Sequence, residues 1–124
     1  MPVRGIRGAI TVEENTPQAV LLATHDLLNT IKTTNATLHS EDIASILFTV
    51  TADLNCAYPA QAAREIGWDL VPLMCALEIP VPGSLPKCVR ILIHWNTTLE
   101  QNKINHVYLR DAVKLRPDLL KNNR

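Results

Sequence analysis

The sequence predicts an α+β fold in which one long and one short helix pack on a mixed β-sheet. Segments rich in β-branched and apolar residues recur along the 124-residue chain, which is typical of strands. Two segments are predicted to be helices, because Pro17 and Pro59 are suited to a first helical turn and residues typical of helices follow each of them. Strands therefore outnumber helices, and two helices can cover only one face of the sheet. We expect self-association to cover the other face.

The first half of the chain is predicted to run strand, helix, strand. Residues 2–12 are β-prone and contain two glycines, which indicates a strand that another part of the molecule approaches closely. Thr16 is a suitable N-cap and Pro17 fits the first helical turn, and apolar residues at helical spacing extend the helix to about Asn35. A short helical turn is then expected before a strand at residues 43–50.

The second half is predicted to contain the short helix and three further strands. Pro59 begins the helix and Gly67 ends it. Residues 70–79 and 87–95 have strand character, and a stiff, proline-rich loop joins them. After a polar turn, residues 106–109 are the last strand candidate.

Length and composition indicate a single domain, residues 1–124, in which about the last eight residues, 117–124, form a mobile polar tail. The three cysteines are an odd number without a CxxC pair, which favours reduced thiols and a cytoplasmic protein. Arginines and glycines interrupt the N-terminal segment, so it does not resemble a signal peptide. No stretch reaches the roughly 18 apolar residues that a membrane span requires.

The overall charge argues against nucleic acid or a membrane surface as a partner. Twelve basic residues balance twelve acidic residues, so no net field attracts a polyanion. Aromatic residues make up 4% of the chain, too few for the stacking platforms of single-strand binders. Any recognition of an anion must therefore be local.

The sequence lacks the common motifs of metal-dependent, phosphate-binding and nucleophilic enzymes. His25, His39, His94 and His106 have no metal-ligand spacing, and no glycine-rich phosphate loop is present. We therefore expect neither a metal nor a cofactor. Each histidine is more simply interpreted as an ordinary surface or core residue.

Charged residues within strand segments are the remaining candidates for chemistry. Strand alternation gives Arg90 apolar neighbours on its own face, and it groups Glu78 with Met74 and Ala76. A single strand charge is usually solvated. However, a half-buried arginine needs an anionic partner, and one glutamate cannot neutralise several arginines. A small polyanionic ligand would neutralise the remaining arginine charges. The arginines concerned are Arg7, Arg64, Arg90 and Arg116.

Four segments of the sequence together resemble one family. They are VRGIRGA, TADLNCAYPAQAAREIGW, VPLMCALEIPVPGSLPKCVR and HVYLRDAVKLRPDL. With these segments the chain resembles the monofunctional chorismate mutases of the trimeric, pseudo-α/β-barrel class, over nearly its whole length and in the family's order. Four separate segments make the match far more specific than one short motif.

The resemblance implies a homotrimer with three equivalent active sites at its subunit interfaces. It also implies conversion of chorismate to prephenate, for phenylalanine and tyrosine biosynthesis, without a cofactor. The implied catalytic residues are Arg7, Glu78 and Arg90. The implied substrate-binding residues are Arg7, Tyr58, Arg64, Met74, Cys75, Ala76, Leu77, Glu78, Arg90, Tyr108 and Arg116, with Leu115 in support. The sequence does not assign each residue to one subunit or to its neighbour.

The implied reaction is a concerted rearrangement, in which an ether C–O bond breaks as a C–C bond forms, so neither a nucleophile nor proton transfer is needed. Arg7 and Tyr108 are expected to hold the substrate carboxylates in a compact conformation. Arg90 is expected to stabilise negative charge on the ether oxygen, and Glu78 the electron-deficient ring fragment.

Other interpretations of the arginines stay open at this point. One is a non-catalytic trimer that binds an anionic metabolite, and another is a trimeric deaminase of enamine or imine metabolites, whose asparagine- and proline-rich motifs are not visible. A purely structural module would not require inward-facing arginines. Gln61 stands where some relatives have a basic residue, and Met74 where some have a hydroxyl residue, which puts substrate contacts at both positions in question.

Overall fold

A computed structural model of the chain describes residues 1–115. The predictions made for Arg116 and for the tail at 117–124 lie outside the described residues. The strands are β1 (Val3–Thr11), β2 (Ile43–Val50), β3 (Leu73–Leu77), β4 (Cys88–Asn96) and β5 (Val107–Leu109). The α-helices are α1 (Pro17–Thr34) and α2 (Ala60–Glu65), and 3₁₀ turns occur at Ser40–Asp42, Gln101–Lys103 and Arg110–Leu115.

The described strands form one mixed sheet in the order β3-β2-β4-β1-β5. The central strand β4 pairs antiparallel with β1 and β2, and the edge strands β5 and β3 lie parallel to β1 and β2. This arrangement confirms the predicted α+β class. Strand β3 is shorter than the predicted segment 70–79. Pro72, which cannot donate to a ladder, lies directly before the strand, and Pro80 lies three residues after its end.

Helix α1 begins and ends where the sequence predicts. The Thr16 hydroxyl accepts a hydrogen bond from the Ala19 N–H at 3.2 Å, Pro17 occupies the first turn, and Asn35 is the C-cap. The buried residues of α1 are Val20, Ala23, Thr24, Leu27, Leu28 and Ile31. Their spacing of three or four residues gives the helix one apolar face. Within residues 1–115, neither helix has the length and apolar character needed to cross a membrane.

Both helices pack on the same face of the sheet. The core joins α1 and Ala62 of α2 to Ile6, Phe48 and Ile91 from three strands, all of them buried. Because strand side chains alternate, the residues between these point to the other side. We call that side the open face. It is formed by Arg7, Ala9, Leu47, Thr49, Met74, Ala76, Cys88, Arg90, Leu92 and Tyr108.

Side-chain hydrogen bonds fix the start of β4. The Asp53 carboxylate accepts from the Lys87 N–H at 3.1 and 3.0 Å, and Lys87 has a positive φ of 48°. The Thr51 hydroxyl accepts from the Cys88 N–H at 3.0 Å and donates to Asp53 at 2.5 Å. Arg90 lies two residues after Cys88 on the open face, so these hydrogen bonds help to fix its position in the sheet.

Gly8 is the point at which three elements approach β1 most closely. A Cβ there would lie 3.0 Å from Ile91 Cγ2, 3.1 Å from the Val107 carbonyl oxygen and 3.2 Å from Ile31 Cδ1. These atoms belong to β4, β5 and α1. At Gly5, on the open face, a Cβ would meet only Leu92 Cδ1 at 3.4 Å, an ordinary contact. The predicted close approach to the first strand is therefore confirmed at Gly8.

We predict that Gly8→Ala destabilises the fold by about 1–3 kcal/mol, because the added methyl group must displace the backbone of β5. Gly5→Ala is the matched control on the same strand and should change the free energy of unfolding by less than about 0.5 kcal/mol. Chemical denaturation of the two variants beside the parent protein measures both values. Equal destabilisation by the two substitutions would contradict the packing described for Gly8.

Candidate active site

Arg90 lies at the centre of the open face. In the sheet register it is opposite Ala9 of β1 and Thr49 of β2, and the same row continues to Tyr108 of β5 and Ala76 of β3. Directly opposed residues in neighbouring strands carry their side chains on the same face. Arg90 and Tyr108 therefore lie on one face with a single small residue, Ala9, between their strand positions.

Arg7 occupies the adjacent row of the same face. It is opposite Leu92, which is itself opposite Leu47 of β2, and Leu47 pairs with Met74. Arg7 is exposed, and its side chain forms no ion pair within residues 1–115. An arginine without an anionic neighbour, next to apolar side chains, can accept a carboxylate ligand without breaking an existing ion pair.

Glu78 reaches the open face from the end of β3. Its N–H donates to the Val50 carbonyl at 2.8 Å, which continues the β2–β3 pairing past the strand. Its carboxylate accepts from the Thr49 hydroxyl at 2.8 Å and from the Ile79 N–H at 3.3 Å. Glu78 Oε2 also lies 3.6 Å from Arg90 Nε, which is an ion pair but too long for a good hydrogen bond.

The pKa of Glu78 is lowered below the ordinary value of its carboxyl group. The Thr49 hydrogen bond is the largest cause, and the Ile79 N–H and the charge of Arg90 act in the same direction. Burial opposes them by raising the pKa. Hydrogen bonds to the charged form thus outweigh desolvation, and Glu78 stays an anion at neutral pH.

Two buried polar atoms of this group have no hydrogen-bond partner among residues 1–115. They are Arg90 Nε and the Tyr108 hydroxyl oxygen. A buried polar atom left without a partner costs about 1–3 kcal/mol, so such atoms are uncommon in folded proteins. A guanidinium nitrogen can only donate, and a phenol can donate or accept. Both atoms are therefore suited to an acceptor oxygen of a bound molecule.

A small apolar cluster closes one end of the open face. Ala9, Cys88 and Ala112 are buried there, and Tyr108 and Leu115 pack against them. Ala112 and Leu115 come from the 3₁₀ turn at Arg110–Leu115, which the sequence analysis did not predict. Burial raises the pKa of the Cys88 thiol, against the opposing charge of Arg90, so Cys88 is a neutral packing residue.

Arg110 directs the chain from β5 into this turn. Its φ of 55° lies in the left-handed region, which costs a non-glycine residue roughly 1 kcal/mol. The guanidinium donates to the Thr11 carbonyl at 3.0 Å and to the Asp26 carboxylate at 3.2 Å, and the Asp111 N–H donates to the Thr11 hydroxyl at 3.2 Å. These contacts offset the strain and hold the turn over the open face.

A second group of sequence-predicted residues lies around a cleft of about 490 Å³ beside β3 and the start of α2. Tyr58, Gln61, Cys75 and Leu77 line this cleft, which we call the Tyr58 cleft. The Cys75 side chain packs against the core on the helix-covered face. Arg64 is exposed on α2, one turn after Gln61, so the two share a side of the helix.

The sheet separates the two groups within one chain. We call Arg7, Glu78, Arg90 and Tyr108 the Arg90 cluster; together with Met74 and Ala76 they lie on the open face. Cys75 lies between Met74 and Ala76 in sequence, and its side chain projects to the opposite face. Ala76 of the open face also lines the Tyr58 cleft, so the two groups adjoin at the edge strand β3.

Exposed apolar side chains surround the edge strand β3. Met74, Leu77, Ile79 and Val81 are each more than half exposed, at 68%, 63%, 73% and 57%. Exposed apolar residues along an unpaired strand edge favour association, and soluble monomers usually avoid them. The surface beside Glu78 and the Tyr58 cleft is therefore suited to contact another protein surface.

Two of the histidines have side-chain contacts that join elements of the fold. His25 Nε2 lies 2.8 Å from Glu65 and joins α1 to α2, and His94 Nδ1 lies 2.9 Å from the Ser45 hydroxyl. Within residues 1–115, no three His, Cys, Asp or Glu side chains are grouped as a metal site would require.

Sequence reasoning missed two residues that contact the Arg90 cluster. Thr49 holds the Glu78 carboxylate, and His106 Nδ1 accepts a hydrogen bond from the Arg7 N–H at 3.0 Å. Thr49 and Glu78 are 29 residues apart, and Arg7 and His106 are 99 residues apart. Only the pairing of the strands brings them together, and no local pattern reveals it.

Comparisons with known proteins agree on one family. The family model for chorismate mutase type I matches residues 3–119. Chorismate mutase AroH of Thermus thermophilus is 56% identical over 117 residues, which cover 94% of this chain and 96% of the relative. Chorismate mutase AroH of Bacillus subtilis (strain 168) is 45% identical over 120 residues, covering 96% and 94%. A solved chorismate mutase structure from Clostridium thermocellum has a TM-score of 0.84 at 49% identity, covering 87% of this chain and 96% of that one.

We predict that Thr49→Val raises the pKa of Glu78 toward its ordinary value, because the largest stabilising contact of the carboxylate is lost. A carboxyl group whose pKa is lower in the folded state stabilises the protein at pH values above its unfolded-state pKa. This stabilisation disappears as the pH falls through the folded-state pKa. The stability lost in Thr49→Val should therefore be larger at neutral than at acid pH. Thr49→Ser keeps the hydroxyl and is the control. Carboxyl ¹³C NMR titration measures the pKa, and an unchanged value in Thr49→Val would contradict the assignment.

Proposed function

The chain belongs to the chorismate mutase type I family and is a chorismate mutase, and we propose that the Arg90 cluster carries out the reaction together with the Tyr58 cleft of a second copy. The reaction converts chorismate to prephenate, a step toward the aromatic amino acids. The observation that supports this site most strongly is the buried Nε of Arg90, which has no hydrogen-bond acceptor within residues 1–115. Chorismate can supply that acceptor through its ether oxygen.

In the proposed mechanism Arg90 stabilises the charge that develops as the ether C–O bond breaks. The ether oxygen becomes more negative in the transition state than in the substrate. A fixed N–H donor aimed at this oxygen therefore binds the transition state more tightly than the substrate, which raises kcat. Because Arg90 Nε is already buried and has no acceptor to exchange within the described part of the chain, little reorganisation is needed at the moment of reaction.

Glu78 has two roles in this proposal. Its carboxylate lies 3.6 Å from Arg90 Nε and so orients the guanidinium while leaving the N–H free to bind substrate. Its negative charge also compensates for the electron deficiency that develops in the ring fragment. The lowered pKa keeps Glu78 ionised at neutral pH, which both roles require.

Arg7 and Tyr108 bind the substrate carboxylates in the proposed site. Arg7 is unpaired within residues 1–115, and the Tyr108 hydroxyl lacks a partner there, so both can accept a dianionic ligand. Holding the flexible substrate in its compact conformation supplies part of the acceleration. At the low end of enzymatic accelerations about 8 kcal/mol is required. One well-aimed donor typically provides about 3–4 kcal/mol.

We propose that three copies assemble and share their active sites. One subunit provides the Arg90 cluster, and its neighbour provides Tyr58, Gln61, Arg64, Cys75 and Leu77. The separation of the two groups by the sheet and the exposed apolar residues around β3 support this arrangement. No cofactor has a role in the proposed chemistry. We also propose that the enzyme acts in the cytoplasm, where its three free cysteines would stay reduced.

We predict that Arg90→Ala lowers kcat by at least about a hundredfold without unfolding the protein. Arg90→Lys should also be poor, because an ammonium group cannot reproduce the directed N–H of a guanidinium. Cys75→Ala serves as the control, since Cys75 packs against the core and should tolerate truncation better. The loss of chorismate ultraviolet absorbance measures turnover. A folded Arg90→Ala protein with near-normal kcat would refute the role of Arg90.

A shared site predicts that two inactive variants restore each other. Arg90→Ala damages the Arg90 cluster, and Tyr58→Ala combined with Arg64→Ala damages the Tyr58 cleft. If the two variants are unfolded together and refolded as mixed trimers, some interfaces pair two undamaged halves. The chorismate mutase activity of the refolded mixture should therefore exceed the sum of the activities of the two variants measured separately.

The matched control mixes Arg90→Ala with Glu78→Ala. Both substitutions damage the same half, so every interface keeps one defect and no activity should return. Mass spectrometry should detect mixed oligomers in both mixtures. If it does and the two mixtures recover the same activity, the active sites are not shared between subunits.

A further inference from the structure

We propose that His106, as the neutral imidazole with its proton on Nε2, is a positioning residue that sets Arg7 relative to Tyr108. This inference rests on the proposed function, in which Arg7 and Tyr108 bind the substrate carboxylates. His106 itself does not contact substrate in the proposal. It acts through the backbone of Arg7 and through the strand that carries Tyr108.

The strand β5 that carries Tyr108 is short and lies at an edge of the sheet. It pairs with β1 at three positions, Gly8 with Val107, Ala9 with Tyr108 and Ile10 with Leu109. The pairing begins one residue after Arg7 on β1 and one residue after His106. A three-residue edge strand has few hydrogen bonds of its own, so contacts at its ends must help to fix its position.

The His106 ring provides such a contact at the beginning of β5. The Arg7 N–H donates to His106 Nδ1 at 3.0 Å, where a longer ladder would use a backbone acceptor. A backbone amide can only donate, so Nδ1 must be the acceptor. A neutral imidazole with an acceptor nitrogen carries its proton on the other nitrogen. The contact therefore selects the Nε2–H tautomer.

The residue before His106 is anchored to the end of α1. The Asn105 N–H donates to Asn35 Oδ1 at 3.1 Å, and Asn35 Nδ2 donates to the Asn105 carbonyl at 3.0 Å. Asn105 Nδ2 also donates to the Thr34 carbonyl at 2.7 Å. Asn35 is 4% exposed and Asn105 is exposed, so the contact is anchored on its buried side at the end of α1. The backbone before His106 is therefore fixed relative to α1, and the hydrogen bond from the Arg7 N–H to the His106 ring fixes Arg7 relative to the same point.

The consequence for the site is a fixed distance between two substrate contacts. The amide of Arg7 is held to the residue two positions before Tyr108, so the two side chains cannot shift independently along β1 and β5. Loss of the Nδ1 acceptor leaves the Arg7 amide without its partner and frees the start of β5. Substrate binding should suffer more than the chemical step, because Arg90 lies on β4.

The test compares three substitutions at one position. In His106→Asn the side-chain oxygen can occupy the place of Nδ1, whereas in His106→Gln the amide reaches the place of Nε2. His106→Ala removes both. We expect KM to rise about three- to tenfold in the Ala and Gln variants with a smaller change in kcat, as the loss of one hydrogen bond implies. His106→Asn should keep KM within about twofold of the parent. Equal KM values for the Asn and Ala variants would overturn the inference.

A spectroscopic measurement tests the contact without any activity. In the ¹⁵N-labelled parent protein, a scalar coupling across the hydrogen bond should link the Arg7 amide nitrogen to His106 Nδ1. The ring nitrogens should show the chemical shifts of the Nε2–H tautomer. Absence of the coupling together with a proton on Nδ1 would overturn the inference even if the variants fold poorly.

Arg7→Ala separates this inference from the proposed function. If Arg7→Ala raises KM while His106→Ala and His106→Gln do not, the positioning role of His106 is wrong and the proposed site stands. If Arg7→Ala leaves KM unchanged, the proposed carboxylate contact of Arg7 fails, and the role of His106 fails with it.

Discussion

A buried guanidinium N–H that finds no acceptor among residues 1–115 is the constraint on which the rest of the site depends. Arg90 Nε is buried on the open face, and the Glu78 carboxylate lies 3.6 Å away. Leaving such a donor unsatisfied costs about 1–3 kcal/mol, which a protein selected for stability alone would avoid. In the proposed mechanism the cost has a purpose, because the donor is already in place where the ether oxygen of the substrate would turn negative.

The fold keeps Arg90 in place from several directions. Strand β4 is central, and the Asp53 and Thr51 contacts fix its start. Thr49, opposite Arg90 on β2, holds the carboxylate of Glu78, so the ion pair is oriented by a third residue. Beyond β5, the turn that begins at Arg110 covers one end of the open face. The charged groups are thus held by backbone register and hydrogen bonds, so in the proposed mechanism the substrate meets groups that are already in position.

Sequence predicted the elements of the fold well because their signals are local. Thr16 and Pro17 define the start of α1, and alternation within β4 places Arg90 on the face opposite to that of its two neighbours in sequence. The row that joins Arg90 to Thr49 and Tyr108 depends on strand register, which is set by pairing between distant segments. The 3₁₀ turn after β5 was missed for a similar reason, since contacts with Thr11 stabilise it. Resemblance to a family supplied the candidate residues, and geometry divided them into two groups.

A crystal structure of the protein with a bicyclic mimic of the transition state tests the central claim most directly. The account predicts that Arg90 Nε donates to the ether oxygen of the mimic at about 2.9 Å, while Glu78 stays beside the guanidinium. A complex in which the Arg90 side chain points into bulk solvent and other donors hold the ether oxygen would contradict it.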